Sequence, residues 1–229
     1  MCTALYLMFN EGYNSSHDDD LIRRGLCLES IRLLKLMIEK FKENTRLHAL
    51  LSTMNFHIAR FEARIDDKGA IVLLEDQDRS LWNQEFIKMG LYHLSQASKG
   101  DLISPYHLEA SIAAQHCLAK DFESTNWKLI SRFYKKLHLI KPSPIIQLNL
   151  AIISGILNGP DEAIAQLSEL KNTSKQLENY HLLYAVLGHF YLKKEEKDLA
   201  IDYLNKAKSL TSSQKEIDLL TLKIQLARN

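Results

Sequence analysis

The sequence predicts an all-α fold built from antiparallel helical hairpins, and three observations carry that expectation. Only four prolines occur in 229 residues, at 105, 142, 144 and 160, and each stands between apolar-periodic stretches. Apolar residues recur at steps of three and four along most of the chain, as a helix with one buried face requires. The second half carries a spaced set of small and large residues that recurs along the chain.

Residues 2–10 read as a short apolar helix closed by Asn10-Glu11-Gly12, with Gly12 the residue just past the helix end. Asp18-Asp19-Asp20 is expected to open a second helix, because carboxylates cap free N–H groups and complement the positive end of the dipole. Its buried face reads Ile31, Leu34, Ile38 and Phe41. A third helix spans 45–62, with Leu47, Leu50, Leu51, Met54, Ile58 and Phe61 on its apolar side. Residues 63–74, ARIDDKGAIVLL, break this rhythm around the turn signal Asp67-Lys68-Gly69, and a small β-hairpin is predicted there. Helices resume near 79–98, 104–120, 123–140, 144–158, 160–172, 178–193, 196–209 and 212–227. Asp78 or Ser80 is expected to cap the helix carrying Trp82, with Arg79 pairing with a neighbouring carboxylate.

From Tyr184 the chain reads YAVLGHFYLKKEEKDLAIDYLNKAKSL, which fits the tetratricopeptide (TPR) pattern. Tyr184 takes the large first position, Leu187-Gly188 the Leu-Gly pair and Tyr191 the next aromatic, followed by Ala200, Leu204 and Ala207. The small residues let two antiparallel helices approach, while the large ones fill the groove to the next hairpin. Aligning Ala163 with Ala200 recovers a weaker copy with Leu150, Ala151, Leu167 and Leu170, and a third copy puts Ile130 in that position, with Tyr134, Leu137 and Pro142. These anchors lie 33 and 37 residues apart, near the 34-residue period of this repeat. The expected organisation is a helical subdomain with the β-hairpin over 1–100 and a TPR-like α-solenoid over 101–229.

Composition excludes several classes. Lys+Arg 29 against Asp+Glu 28 leaves a formal charge of +1, with none of the basic excess of a DNA-gripping domain. Cys2, Cys27 and Cys117 are odd in number and far apart, so no secreted disulfide framework is expected and the cytoplasm is the predicted compartment. No apolar run reaches a membrane-spanning length, and the start lacks the marks of a signal peptide. Nine histidines invite a metal reading, but His48/His57 and His107/His116 are each nine apart, so no metal or cofactor is expected. Glu75-Asp76-Gln77-Asp78 lacks the glycine and closing glutamate of a calcium loop. Phosphate-binding glycine loops and nucleophile motifs are also missing, and the chain is predicted not to be an enzyme.

Five segments taken in order, LYLMFNEGY, LCLESIRL, LLEDQDRSLW, SPYHLEASIAAQHC and PSPIIQLNLAI, resemble one family. It is the C-terminal extension of a group of extracytoplasmic-function RNA polymerase sigma factors, a helical domain followed by a TPR-like segment. The resemblance implies a regulatory module acting through protein contacts with sigma-factor domains or core RNA polymerase, without direct nucleic-acid binding or a membrane. The family's promoter-reading domains have no counterpart among these residues, so promoter recognition is assigned to none of them. The chain is expected to be either an excised fragment or a free-standing relative. The partner surface is placed at Asn10, Glu11, Gly12 and Tyr13, and at Glu75, Asp76, Gln77, Asp78, Arg79 and Trp82. A free-standing TPR-like adaptor is the alternative, and a small-ligand binder or enzyme ranks last.

Overall fold

A computed structural model describes residues 2–14 and 22–228. Its helices are α1 (Cys2–Tyr13), α2 (Arg24–Lys40), α3 (Thr45–Ile58), α4 (Gln84–Ala97), α5 (Pro105–Leu118), α6 (Trp127–Ile140), α7 (Pro144–Asn158), α8 (Pro160–Thr173), α9 (His181–Lys193), α10 (Lys197–Ser209) and α11 (Gln214–Arg228). Short 3₁₀ turns occur at Phe61–Ala63, Arg79–Leu81 and Lys175–Leu177. The chain forms two compact units, Met1–Asn126 and Trp127–Asn229. The division falls after 126 rather than after the expected 100, because α5 packs on α3 and so belongs to the first unit.

In the first unit α3 is the central element, touching α1, α2, α4 and α5. It is accordingly buried nearly all round, with Leu50, Leu51, Met54 and Phe56 fully enclosed. Asn44 starts it, its side chain accepting hydrogen bonds from the Arg46 and Leu47 amides. Gly12 does not end α1. The helix runs through it to Tyr13, and a Cβ there would meet Cys27 Sγ at 2.7 Å, so the missing side chain admits α2 instead. Phe41 is no part of the buried face: α2 stops at Lys40, and Phe41 is its cap residue, 48% exposed. The expected opening of the second helix by Asp18 to Asp20 lies outside the described residues.

The predicted hairpin reduces to a single antiparallel bridge, Ile65 to Ile71. Asp66 Oδ1 accepts from the Lys68 and Ala70 amides, and Gly69 takes φ 82°, so the turn forms as read. The flanks carry too few residues to extend it: Arg64 is already the end of a 3₁₀ turn, and the chain turns again after Leu73.

In the second unit the repeat positions form the core. Leu187, Ala200, Leu204 and Ala207 are fully buried, as are Ala163 and Ile130, which stand at the Ala200 position of the other copies. A Cβ on Gly188 would come within 2.7 Å of Leu204 Cγ, and one on Gly155 within 2.5 Å of both the Ala163 Cβ and the Phe190 ring. These contacts are the close helix approaches that the small residues foretold. Pro144 and Pro160 occupy first helical positions. The longer 37-residue spacing follows from the 3₁₀ turn Lys175–Leu177 between α8 and α9, with Leu177 anchored in the core. Among the described residues no helix is long and apolar enough to cross a membrane.

Candidate functional site

The segment 75–82 is built from both ends of the first unit's core. Asp78 Oδ1 accepts from the Ser80 amide at 2.8 Å and so caps the 3₁₀ turn Arg79–Leu81. The helix that follows is capped by Asn83 instead, whose side chain accepts from the Glu85 and Phe86 amides. Trp82, between turn and helix, is 2% exposed and packs with Phe56, Ala59, Ala63 and Ile87. Two guanidinium groups flank its ring, Arg79 at 4.7 Å and Arg60 at 5.1 Å from the centroid.

Arg79 makes no carboxylate ion pair among the described residues. Its Nη1 donates to the His116 and Ala119 carbonyls and its Nη2 to Thr125 Oγ1 at 3.2 Å. Those carbonyls end α5, where a helix leaves acceptors unsatisfied and favours a cation. Gln77 is buried, donating to the Val72 carbonyl at 3.1 Å and accepting from Arg60 at 3.2 and 3.3 Å. Gln77, Arg79 and Trp82 therefore point inward. Asp76, Asp78, Ser80 and Leu81 remain exposed, Leu81 to 51%, and Glu75 is half-buried.

The other expected segment behaves similarly. Gly12 is buried, Asn10 is exposed, and Glu11 makes a long surface ion pair with Arg23 at 3.9 Å. The Tyr13 carbonyl accepts from Arg64 Nη1 at 2.5 Å, and the Arg64 guanidinium sits 3.8 Å from the centre of the Tyr13 ring. His57 packs on the same ring, 4.7 Å between centroids.

The end of α3 thus brings the two segments together. Arg60 serves Gln77 and Trp82, and Arg64 serves Tyr13. Sequence reading passed over His57, Arg60 and Arg64, although HIARFEAR, with arginines four apart in an apolar stretch, carries the signal. Arg60, Arg64 and Arg79 make no carboxylate ion pair among the described residues. Burial first, and Arg60 beside them, lowers the pKa of Arg64 and of Arg79. Burial and the same arginines hold His57 and His116 down to about 3, so both are neutral at pH 7. The Cys117 thiol is pushed up to about 12, chiefly by burial, and stays protonated. The arrangement is a rigid cation–aromatic frame presenting a short polar edge with one exposed leucine.

Comparison with known proteins bears on both units. Residues 1–98 match DUF6596, described as a family of unknown function. The chain is 34% identical over 188 residues to "Uncharacterized protein R00370" of Rhizobium meliloti (strain 1021). That match covers 82% of this chain and 44% of the relative, so the chain spans less than half the relative's length. Among solved structures it is similar in fold to YrrB, described as a TPR protein with an unusual peptide-binding site, with a TM-score of 0.50 at 10% identity. The match covers 99% of this chain and 100% of that one.

Proposed function

We propose that this chain is the regulatory, protein-binding C-terminal region of an extracytoplasmic-function RNA polymerase sigma factor, working in the cytoplasm and without catalytic activity. The observation that carries the proposal is the division of labour within LLEDQDRSLW. Its inward residues are committed to the protein's own frame, and its outward residues, Asp76, Asp78, Ser80 and Leu81, form a fixed exposed edge, with Asp78 also capping the turn that holds it. A segment held this firmly at an exposed loop suits recognition, where preorganisation lowers the cost of binding. The ordered family segments support the sigma-factor assignment, the TPR-type fold supports a protein partner, and a relative of which the match covers only 44% has room for further domains.

The test is binding of purified 1–229 to core RNA polymerase and, separately, to the matching sigma domains. Binding to one of them should weaken at least about tenfold, or about 1.4 kcal/mol, in Leu81→Asp, with helicity unchanged. Trp82→Ala is unsuitable here because it removes a core residue. Binding that ignores Leu81→Asp would remove the docking surface. A folded sample that binds neither partner would leave the free-standing adaptor as the better reading.

A further inference from the structure

The near-neutral total charge conceals a segregation. Residues 127–229 hold 15 Lys and Arg against 10 Asp and Glu, while residues 142–229 hold 10 of each. The whole excess of the second unit therefore lies on α6 and Lys141, which carry five cations and no acid. Trp127, Ile130 and Leu137 form the buried face of α6, and it packs on α7. Lys128, Arg132, Lys135 and Lys136 are all exposed. At about 100° per residue these four fall within one arc of roughly 100°, running about 12 Å along the helix. None of them forms an ion pair among the described residues, and α7 beside them contains no charged residue at all.

An uncompensated row of cations needs an anionic partner, and the packing narrows which one. A basic amphipathic helix lies on a membrane by burying its apolar face there, but this apolar face is already used inside the protein. A protein interface is normally organised around an apolar or aromatic centre, and on α6 the exposed large apolar side chains are confined to Leu139 and Ile140, past the end of the row. Four flexible cations at helical spacing, with no exposed amide to read a base edge, match a sugar–phosphate backbone. We propose that the outer face of α6 is a sequence-independent contact for the phosphate backbone of duplex DNA. This proposal does not depend on the docking edge at 75–81.

The experiment is fluorescence anisotropy of full-length 1–229 with a labelled 20-base-pair duplex of mixed sequence, from 20 to 200 mM KCl. Four phosphate contacts predict a slope of log K against log[KCl] of about −3.6. Reversing the row with Lys128→Glu, Arg132→Glu, Lys135→Glu and Lys136→Glu should lower affinity at least tenfold at 50 mM KCl and flatten the slope. The same four positions changed to Gln should give a smaller loss, and circular dichroism should show both variants folded. Lys175→Glu with Lys197→Glu, reversing exposed cations elsewhere in the unit, should change affinity less than twofold. Absence of binding at 20 mM KCl would overturn the proposal. So would an equal loss in the control variant, or a polyglutamate competitor that displaces the duplex at equal charge concentration, which would point to an acidic protein surface instead.

Discussion

Both units bury the faces of short helices, and they do so with different chemistry. Among the described residues, the seven buried polar ones, Ser30, His48, Ser52, Thr53, Asn55, Gln77 and Thr125, all lie in the first unit. Several tie elements together, as Ser52 does by donating to the Gly90 carbonyl at 2.8 Å. The buried core of the second unit is apolar among the described residues, and its register comes from alternating small and large side chains. A repeat can rely on shape because each hairpin meets a similar neighbour. The first unit has no such symmetry, and directional bonds specify which helix meets which. Polar ties carry a liability that shape does not, since they respond to protonation.

Acid should separate the units most sharply. In the first, His57 and His116 are held to about 3 and His93 to about 4, with burial the leading cause in each. For His93 the neighbouring His48, whose Nδ1 lies 2.9 Å from its own, and Lys35 add to the effect. Among the described residues of the second unit only His189 is driven comparably low, to about 4, by burial and then by Lys223 and Lys193. A histidine depressed in the fold stabilises it fully above the unfolded pKa of about 6.5 and loses that contribution as pH falls towards the folded value. The first unit should therefore unfold between about pH 6.5 and 4, ahead of the second. Each unit holds one tryptophan, so Trp127→Phe leaves a reporter in the first and Trp82→Phe one in the second. Coincident acid transitions would break the comparison.

Trp82→Ala comes next. It should cost about 3–5 kcal/mol, as large core aromatics do, and strip Arg60 and Arg79 of their shared platform. Urea unfolding followed by hydrogen exchange should show the loss in the first unit, with α9 and α10 still protected. A smaller effect belongs to Gly155→Ala. The added Cβ would press on Ala163 and Phe190, for about 1–3 kcal/mol of overpacking confined to the second unit. A variant with no change in urea midpoint would mean that α7 and α8 can part more freely than their packing suggests.

How much was legible followed the same divide. The spacing of Tyr184, Leu187, Gly188, Ala200 and Leu204 specified both helices of a hairpin, because in a repeat the neighbours of each position are encoded in the pattern itself. Gly12 was misread because a glycine that ends a helix and one that admits a neighbour look alike until Cys27 is in place. Arg79 could not be traced to the end of α5, some 40 residues away, from composition alone. The burial of Trp82 turned on tertiary contacts with α3 and α4 in the same way. Charge was fully legible and was averaged away: the total of +1 hid an excess that counting helix by helix exposes on α6.

Gly159, at φ 103°, is the sole residue between α7 and α8, ending one and starting the other. The next connection, from α8 to α9, is several residues longer and holds its own 3₁₀ turn. Length changes thus have one permitted address in this hairpin stack and one forbidden one. An epitope or dye-binding tag spliced at the exposed Asn179 would ride on a connection already stretched beyond the repeat period. The same tag at Gly159 would unlatch α7 from α8, so the spacing of the copies also records where the chain has room to grow.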